Sequence, residues 1–176
     1  MKKKISIILA VFIVMVIGAL LTWRLWPNSF STVMPADGNA VTQCSAIAMV
    51  SGLSDGQPFS ETYWLDIPES QRQNIGEILH LLGTSSYRQD YRNLLPWGIE
   101  YVDADKNYDG HSVRVELVGG ADQTQDIDIL FLSSSIIVVT DAGVPGFRIY
   151  HPTNRNTMYD LLEYVKLHGT LQSEDE

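Results

Sequence analysis

The sequence predicts an α+β domain carried behind one N-terminal transmembrane helix, with an antiparallel sheet of about five to seven strands and two packed helices. Three observations predict it. Residues 5–23 form an apolar run behind three lysines, two later segments repeat apolar residues at helical spacing, and most of the remainder alternates with period two between turn residues.

Lys2, Lys3 and Lys4 open the chain, residues 5–23 contain only Ser6 and Thr22 as weakly polar interruptions, and Arg24 follows. At about 1.5 Å per residue such a helix spans roughly 28 Å, the thickness of the hydrocarbon core of a bilayer. The excess of positive charge before the run predicts residues 1–4 as a cytosolic tail, residues 5–23 as a single-pass signal anchor in the cell membrane, and everything beyond as extracytoplasmic. Trp23 and Trp26 fall where an interfacial aromatic belt lies.

A cleaved secretory signal is the competing reading, but it needs a small-x-small site soon after its core. Thr22, Trp23, Arg24, Leu25, Trp26 and Pro27 offer none, and the first small pair, Gly38 and Ala40, is far downstream. Cys44 makes a poor lipoprotein acceptor, since Val41, Thr42 and Gln43 place no small residue directly before it. Both readings export the folded part. The lysine-led anchor and near absence of cysteine suggest a bacterial protein.

Residues 24–41, with Pro27, Pro35, Asp37, Gly38 and Asn39, lack periodicity and read as an extracytoplasmic tether. The domain is expected over residues 42–170. Residues 44–50 and 62–67 read as strands, and Pro68 opens a helix at a position where a missing N–H costs least. Ile75, Ile78, Leu79 and Leu82 repeat at helical spacing, and Gly83 stops the helix. Residues 84–98 are polar, end in Pro96, Trp97 and Gly98, and read as a loop. Residues 99–103, 112–118, 127–132, 136–140 and 147–151 alternate as strands. After Asn154, Arg155 and Asn156 a last helix carries Met158, Leu161, Leu162 and Val165 on one face and ends at Gly169, leaving residues 171–176 as an acidic tail.

Beyond residue 26 the chain holds 8 Lys+Arg against 21 Asp+Glu, a formal net charge of −13. That field repels nucleic acid, which excludes it as a partner, and favours cations or basic partners. Cys44 is the single cysteine, so no intrachain disulfide forms and the fold rests on its core. The thiol reads as a core residue, with an intermolecular disulfide as the sharper alternative.

One chemical motif stands out. Asp105-Lys106-Asn107-Tyr108-Asp109-Gly110, continued to Glu116, fits the pattern D-x-[DN]-x-[DN]-G-x5-E of the EF-hand calcium loop. Asp105, Asn107, Asp109 and Glu116 are the candidate ligands of a weak Ca²⁺ site, with Asp103 as a possible addition. The flanks contradict a helix–loop–helix: Pro96 and Gly98 break the incoming helix, residues 112–118 alternate as a strand, and Ser112 occupies the position where EF-hand loops favour an aliphatic residue. Asp, Asn and Gly are also what a hairpin connection selects, so the plain hairpin loop is the favoured reading.

Catalytic signals are sparse. His80 and His168 sit in the two predicted helices, His111 in the hairpin loop, and His151 at a strand end. Ser133, Ser134 and Ser135 carry no G-x-S-x-G elbow, although a triad of Ser134, His151 and Asp141 is conceivable on geometry alone. Tyr63, Trp64, Tyr87, Tyr91, Trp97, Tyr101 and Tyr108 suit strand packing or a shallow groove. Residues 87–92 form the most suggestive surface piece, with two tyrosines and two arginines in an acidic domain. The expectation is a membrane-anchored, non-enzymatic binding or accessory module at the cell surface, without a cofactor beyond weak calcium; the alternative is an exported hydrolase.

Overall fold

The computed structural model describes residues 2–33, 40–94, 110–119, 126–141 and 144–172. One antiparallel sheet organises them. Its strands are β1 (Asn28–Ser29), β2 (Val41–Ser54), β3 (Gln57–Ile67), β4 (Ser86–Gln89), β5 (His111–Gly119), β6 (Ile127–Ser133), β7 (Ile136–Asp141), β8 (Val144–Pro152) and β9 (Thr170–Gln172). They lie in the order β1-β4-β8-β7-β6-β5-β2-β3-β9. The helices are α1 (Lys2–Arg24), the single turn α2 (Phe30–Val33), α3 (Arg72–Gly83) and α4 (Asn156–His168).

The expected α+β class with an antiparallel sheet stands, but the sheet has nine strands instead of five to seven. The extra strands β1, β4 and β9 are two to four residues long, too short for alternation to register, and β4 lies inside the segment read as a loop. The expected strand over 99–103 lies outside the described residues.

Alternation decides which face is covered. Cys44, Ala46 and Ala48 of β2 share a face with Val113, Val115 and Leu117 of β5 and with Ile127, Ile129 and Phe131 of β6, all buried. Against that face pack Ile75, Ile78 and Leu82 of α3 and Met158, Leu161, Leu162 and Val165 of α4, as their spacing requires. The small residues of β2 face both helices, which contact that strand directly. A strand of alanines has weak β-propensity and gains its place by admitting helices close to the sheet.

β2 and β3 form a long hairpin closed by Asp55 and Gly56, both at positive φ, 54° and 80°. Such a two-residue turn follows the twist of its strands. Beyond Val50 the hairpin projects, and residues 52–60 are exposed.

Two glycines are placed by close approach. A Cβ on Gly169 would lie 2.6 Å from the Val165 carbonyl oxygen and 2.7 Å from that of Trp64, so only glycine lets the chain leave α4 and run as β9 beside β3. Leu171 and Gln172, expected in the tail, therefore belong to the sheet. Gly110 has φ +90, and its Cβ would meet the Ser51 oxygen at 2.8 Å. Its carbonyl accepts bonds from the Ser51 amide at 2.7 Å and from Ser51 Oγ at 3.1 Å. The start of β5 thus requires glycine whether or not the preceding loop holds an ion.

The segment read as a tether is partly docked. Asn28 and Ser29 pair with Tyr87 and Ser86 of β4, and Phe30 packs on the core with its ring 5.9 Å from that of Tyr87. Tyr87 is fully buried, and its hydroxyl donates to the Leu82 carbonyl at 2.7 Å. Burial raises its pKa.

Candidate functional site

The densest polar arrangement among the described residues lies where β4 ends beside β8. β4 pairs Arg88 with His151 and Gln89 with Tyr150, after which the chain turns through a short 3-10 helix, Tyr91–Leu94. The turn is bound to β8 through its backbone and one amide side chain. Asp90 N donates to the Ile149 oxygen at 3.0 Å, Asn93 Nδ2 donates to the same oxygen at 2.7 Å, and Ile149 N donates to Asn93 Oδ1 at 3.0 Å.

These bonds fix Asp90, which is buried, as the centre of a charge cluster. Arg92 grips it with a fork: Nε donates to Oδ1 and Nη2 to Oδ2, each at 2.9 Å. The Arg92 amide adds a bond to Oδ1 at 2.8 Å, and His151 Nε2 lies 2.9 Å from Oδ2. Burial by itself would raise the Asp90 pKa; the Arg92 side chain and amide, His151 and the Arg92 charge outweigh it and hold the carboxyl well below the usual carboxylate range. The same pairing raises the pKa of Arg92.

His151 is held from both sides. Its Nδ1 lies 2.9 Å from the Ser135 carbonyl oxygen, and its Nε2 faces the Asp90 carboxylate. Both neighbours of the ring, a carbonyl and a carboxylate, are acceptors, so the imidazole is oriented from its two nitrogens. The neighbouring serine hydroxyls are turned to each other, Ser133 Oγ and Ser135 Oγ lying 3.1 Å apart.

The conceivable triad of Ser134, His151 and Asp141 is not assembled. Ser134 lies in the turn before β7 and Asp141 at the far end of that strand, on the order of 20 Å away at about 3.3 Å per residue. The true carboxylate partner of His151 is Asp90, which the reading of residues 84–98 as a loop passed over.

Of the expected calcium ligands, Asp105, Asn107 and Asp109 lie outside the described residues, as does Asp103. Glu116 sits in β5 opposite Ser45 and Asp128 and accepts a bond from Ser45 Oγ at 3.4 Å. Among the described residues no group of three His, Cys, Asp or Glu is placed to hold a metal ion. His80 and His168 are exposed on α3 and α4, His168 beside Tyr164 with ring centroids 4.4 Å apart. Cys44 is buried and free; burial, and then the nearby Asp66 charge, push its thiol pKa up to about 12.

The chain matches no protein-family model, no curated protein and no solved structure. Any functional reading therefore rests on the residues themselves.

The remaining feature is α1. Among the described residues no helix is long and apolar enough to cross a membrane. The helical backbone of α1 runs 23 residues, and its side chains are described over residues 9–23. Every one of those side chains is exposed, Phe12 at 58%, Val14 at 68% and Trp23 at 79%. Its single hydroxyl in that stretch, Thr22 Oγ1, donates back to the Gly18 carbonyl at 2.8 Å.

Proposed function

We propose that the chain is a single-pass membrane protein whose extracytoplasmic α+β domain acts as a non-catalytic binding or accessory module at the cell surface. Residues 5–23 are the anchor, with the N-terminus in the cytosol. One observation carries the reading: along residues 9–23 an apolar helix exposes its side chains all round. A soluble protein buries such surface, whereas acyl chains cover it at no cost in water contact. The internal bond of Thr22 suits the same setting, because a hydroxyl in hydrocarbon needs a partner within its own helix. Direction follows from the lysines at positions 2 to 4.

The non-catalytic part of the reading is supported by His151, the one histidine of the polar cluster among the described residues, whose two ring nitrogens face the Ser135 carbonyl and the Asp90 carboxylate and not a serine hydroxyl. The acidic domain also concentrates cations around itself, and calcium binding by the loop of Asp105, Asn107 and Asp109 belongs to this reading.

Orientation and retention are tested separately. Protease added to spheroplasts expressing the full chain is expected to digest the domain. Protection of the domain contradicts the orientation, and a mature N-terminus downstream of residue 26 on the purified protein contradicts a retained anchor.

A further inference from the structure

We propose that the corner of the sheet beside the anchor, formed by Trp26, Arg88, Tyr91 and Arg148, docks on the bilayer surface with its arginines on the phosphate groups of anionic phospholipids. The inference rests on the anchored reading above and adds how the domain sits.

The first observation is how little chain separates α1 from the sheet. α1 ends at Arg24, Leu25 N still donates to the Leu21 oxygen at 3.0 Å, and Asn28 is already paired with Tyr87. Fully extended, the residues between reach about 14 Å at most. The headgroup zone beyond the hydrocarbon is itself about 5–7 Å deep on each side. An arginine on β4 or β8 at this corner therefore lies within reach of lipid phosphate.

The second is which corner faces the bilayer. β1 runs antiparallel to β4, with Asn28 opposite Tyr87 and Ser29 opposite Ser86, so the chain arriving from α1 passes beside Arg88 and Gln89. That is the end of β4 leading into Tyr91 and Arg92, and Asp90 is bonded there to Ile149, next to Arg148. Arg88 and Arg148 belong to opposite faces of the sheet, since Arg88 pairs with His151 and Arg148 with Val139. Arg88 is one residue from the end of β4 and Arg148 lies at the middle of β8, so the two flank the place where β4 leaves β8 from its two faces.

The third is composition. Arg88 and Arg148 are exposed, and neither forms an ion pair with a described residue, whereas Asp90 already holds Arg92. Two arginines without an ion pair among the described residues, at one corner, run against a domain of net charge −13. An acidic body is repelled by an anionic surface, so its cationic corner sets its orientation there. Trp26 is 65% exposed and Tyr91 66%, two amphipathic rings of the kind that settle at headgroup level.

The test uses the full chain carrying Tyr91→Cys, labelled with a nitroxide; Cys44 is buried and stays unlabelled. The chain is reconstituted in phosphatidylcholine vesicles and in an equal mixture of phosphatidylcholine and phosphatidylglycerol. In the mixture the label is expected to be at least about threefold less accessible to a water-soluble relaxing agent than in phosphatidylcholine alone, and high salt or Arg88→Gln/Arg148→Gln removes the difference. A label at Leu53→Cys, on the projecting hairpin, reports any general change in the domain and is expected to stay the same. Flotation with both vesicles but equal accessibility of position 91 in both overturns the docking and leaves the anchor standing. Failure to float with either overturns the anchor and the docking with it.

Discussion

Asp90 Oδ2 and His151 Nε2 meet at 2.9 Å across 61 residues of chain, tying the turn after β4 to strand β8. With the Arg92 fork on the same carboxylate, the contact closes a small charged network at the corner where α1 leads into the sheet. Asp90→Asn keeps the shape and removes the charge that Arg92 pairs with. It is expected to cost about 2–3 kcal/mol at neutral pH, discounted for the partial exposure of Arg92 and His151. Chemical denaturation of the two proteins checks it.

The same carboxyl gives a pH dependence of definite sign. Its pKa is lower in the folded state than in the unfolded chain, where it is about 4, so the folded state binds fewer protons there. The stabilisation is complete above the unfolded value and is lost as pH falls from about 4 through the lower folded value. The denaturation midpoint of the wild type is expected to approach that of Asp90→Asn on acidification. A constant gap between the two proteins down to strong acid contradicts the assignment.

Gly169→Ala places a methyl against two backbone oxygens at the exit from α4, and backbone cannot step aside as a side chain can. A loss of about 2–4 kcal/mol is expected, typical of overpacking and backbone strain combined. Gly52→Ala is the control. Its new Cβ meets the Phe59 ring at 3.1 Å, but that ring is 36% exposed and free to move, so the change is expected to stay within about 1 kcal/mol. Equal losses in the two variants contradict the packing described for β9.

Cys44 is expected to be inert in the folded protein. Burial keeps it from reagent and holds its pKa near 12, so almost no thiolate forms at pH 8. Thiol titration is expected to show no reaction under native conditions and one thiol per chain in denaturant. Rapid native labelling, or a dimer dispersed by reductant, contradicts the core placement.

Calcium binding by the loop of Asp105, Asn107 and Asp109 is expected in the weak extracellular range of about 10⁻⁴–10⁻³ M, because strand β5, and not a helix, follows the loop. At ten times the dissociation constant, binding to the native state alone adds about 1.4 kcal/mol. The melting temperature of the wild type is expected to rise in millimolar calcium relative to EDTA, and that of Asp105→Ala/Asp109→Ala to stay unchanged. Equal shifts in both reduce the motif to a turn whose glycine serves β5.

Much of the sheet was legible because its longer strands alternate cleanly, as in β5 and β6, and α3 and α4 could be placed because Ile75, Ile78 and Leu82, and Met158, Leu161 and Val165, each share a helical face. The edges were not. β1, β4 and β9 are held by partners far along the chain and carry no periodicity of their own. The projecting half of the β2–β3 hairpin was missed although Asp55-Gly56 is a strong turn signal, because Ser51, Gly52, Ser54 and Ser60 dilute the apolar alternation around it. His151 was identifiable as the histidine at a strand end, but its partner Asp90 is brought to it only by the β4–β8 pairing. A single chain of letters does not show that contact.

The account stands on α1 as a membrane-spanning helix, and alkaline extraction of membranes from cells expressing the full chain tests this most directly. The wild type is expected to remain in the membrane pellet, and Val14→Glu/Ile17→Glu, which sets two charges at the middle of the helix, to be released into the supernatant. Release of the wild type by alkali, or equal retention of both proteins, contradicts the anchor.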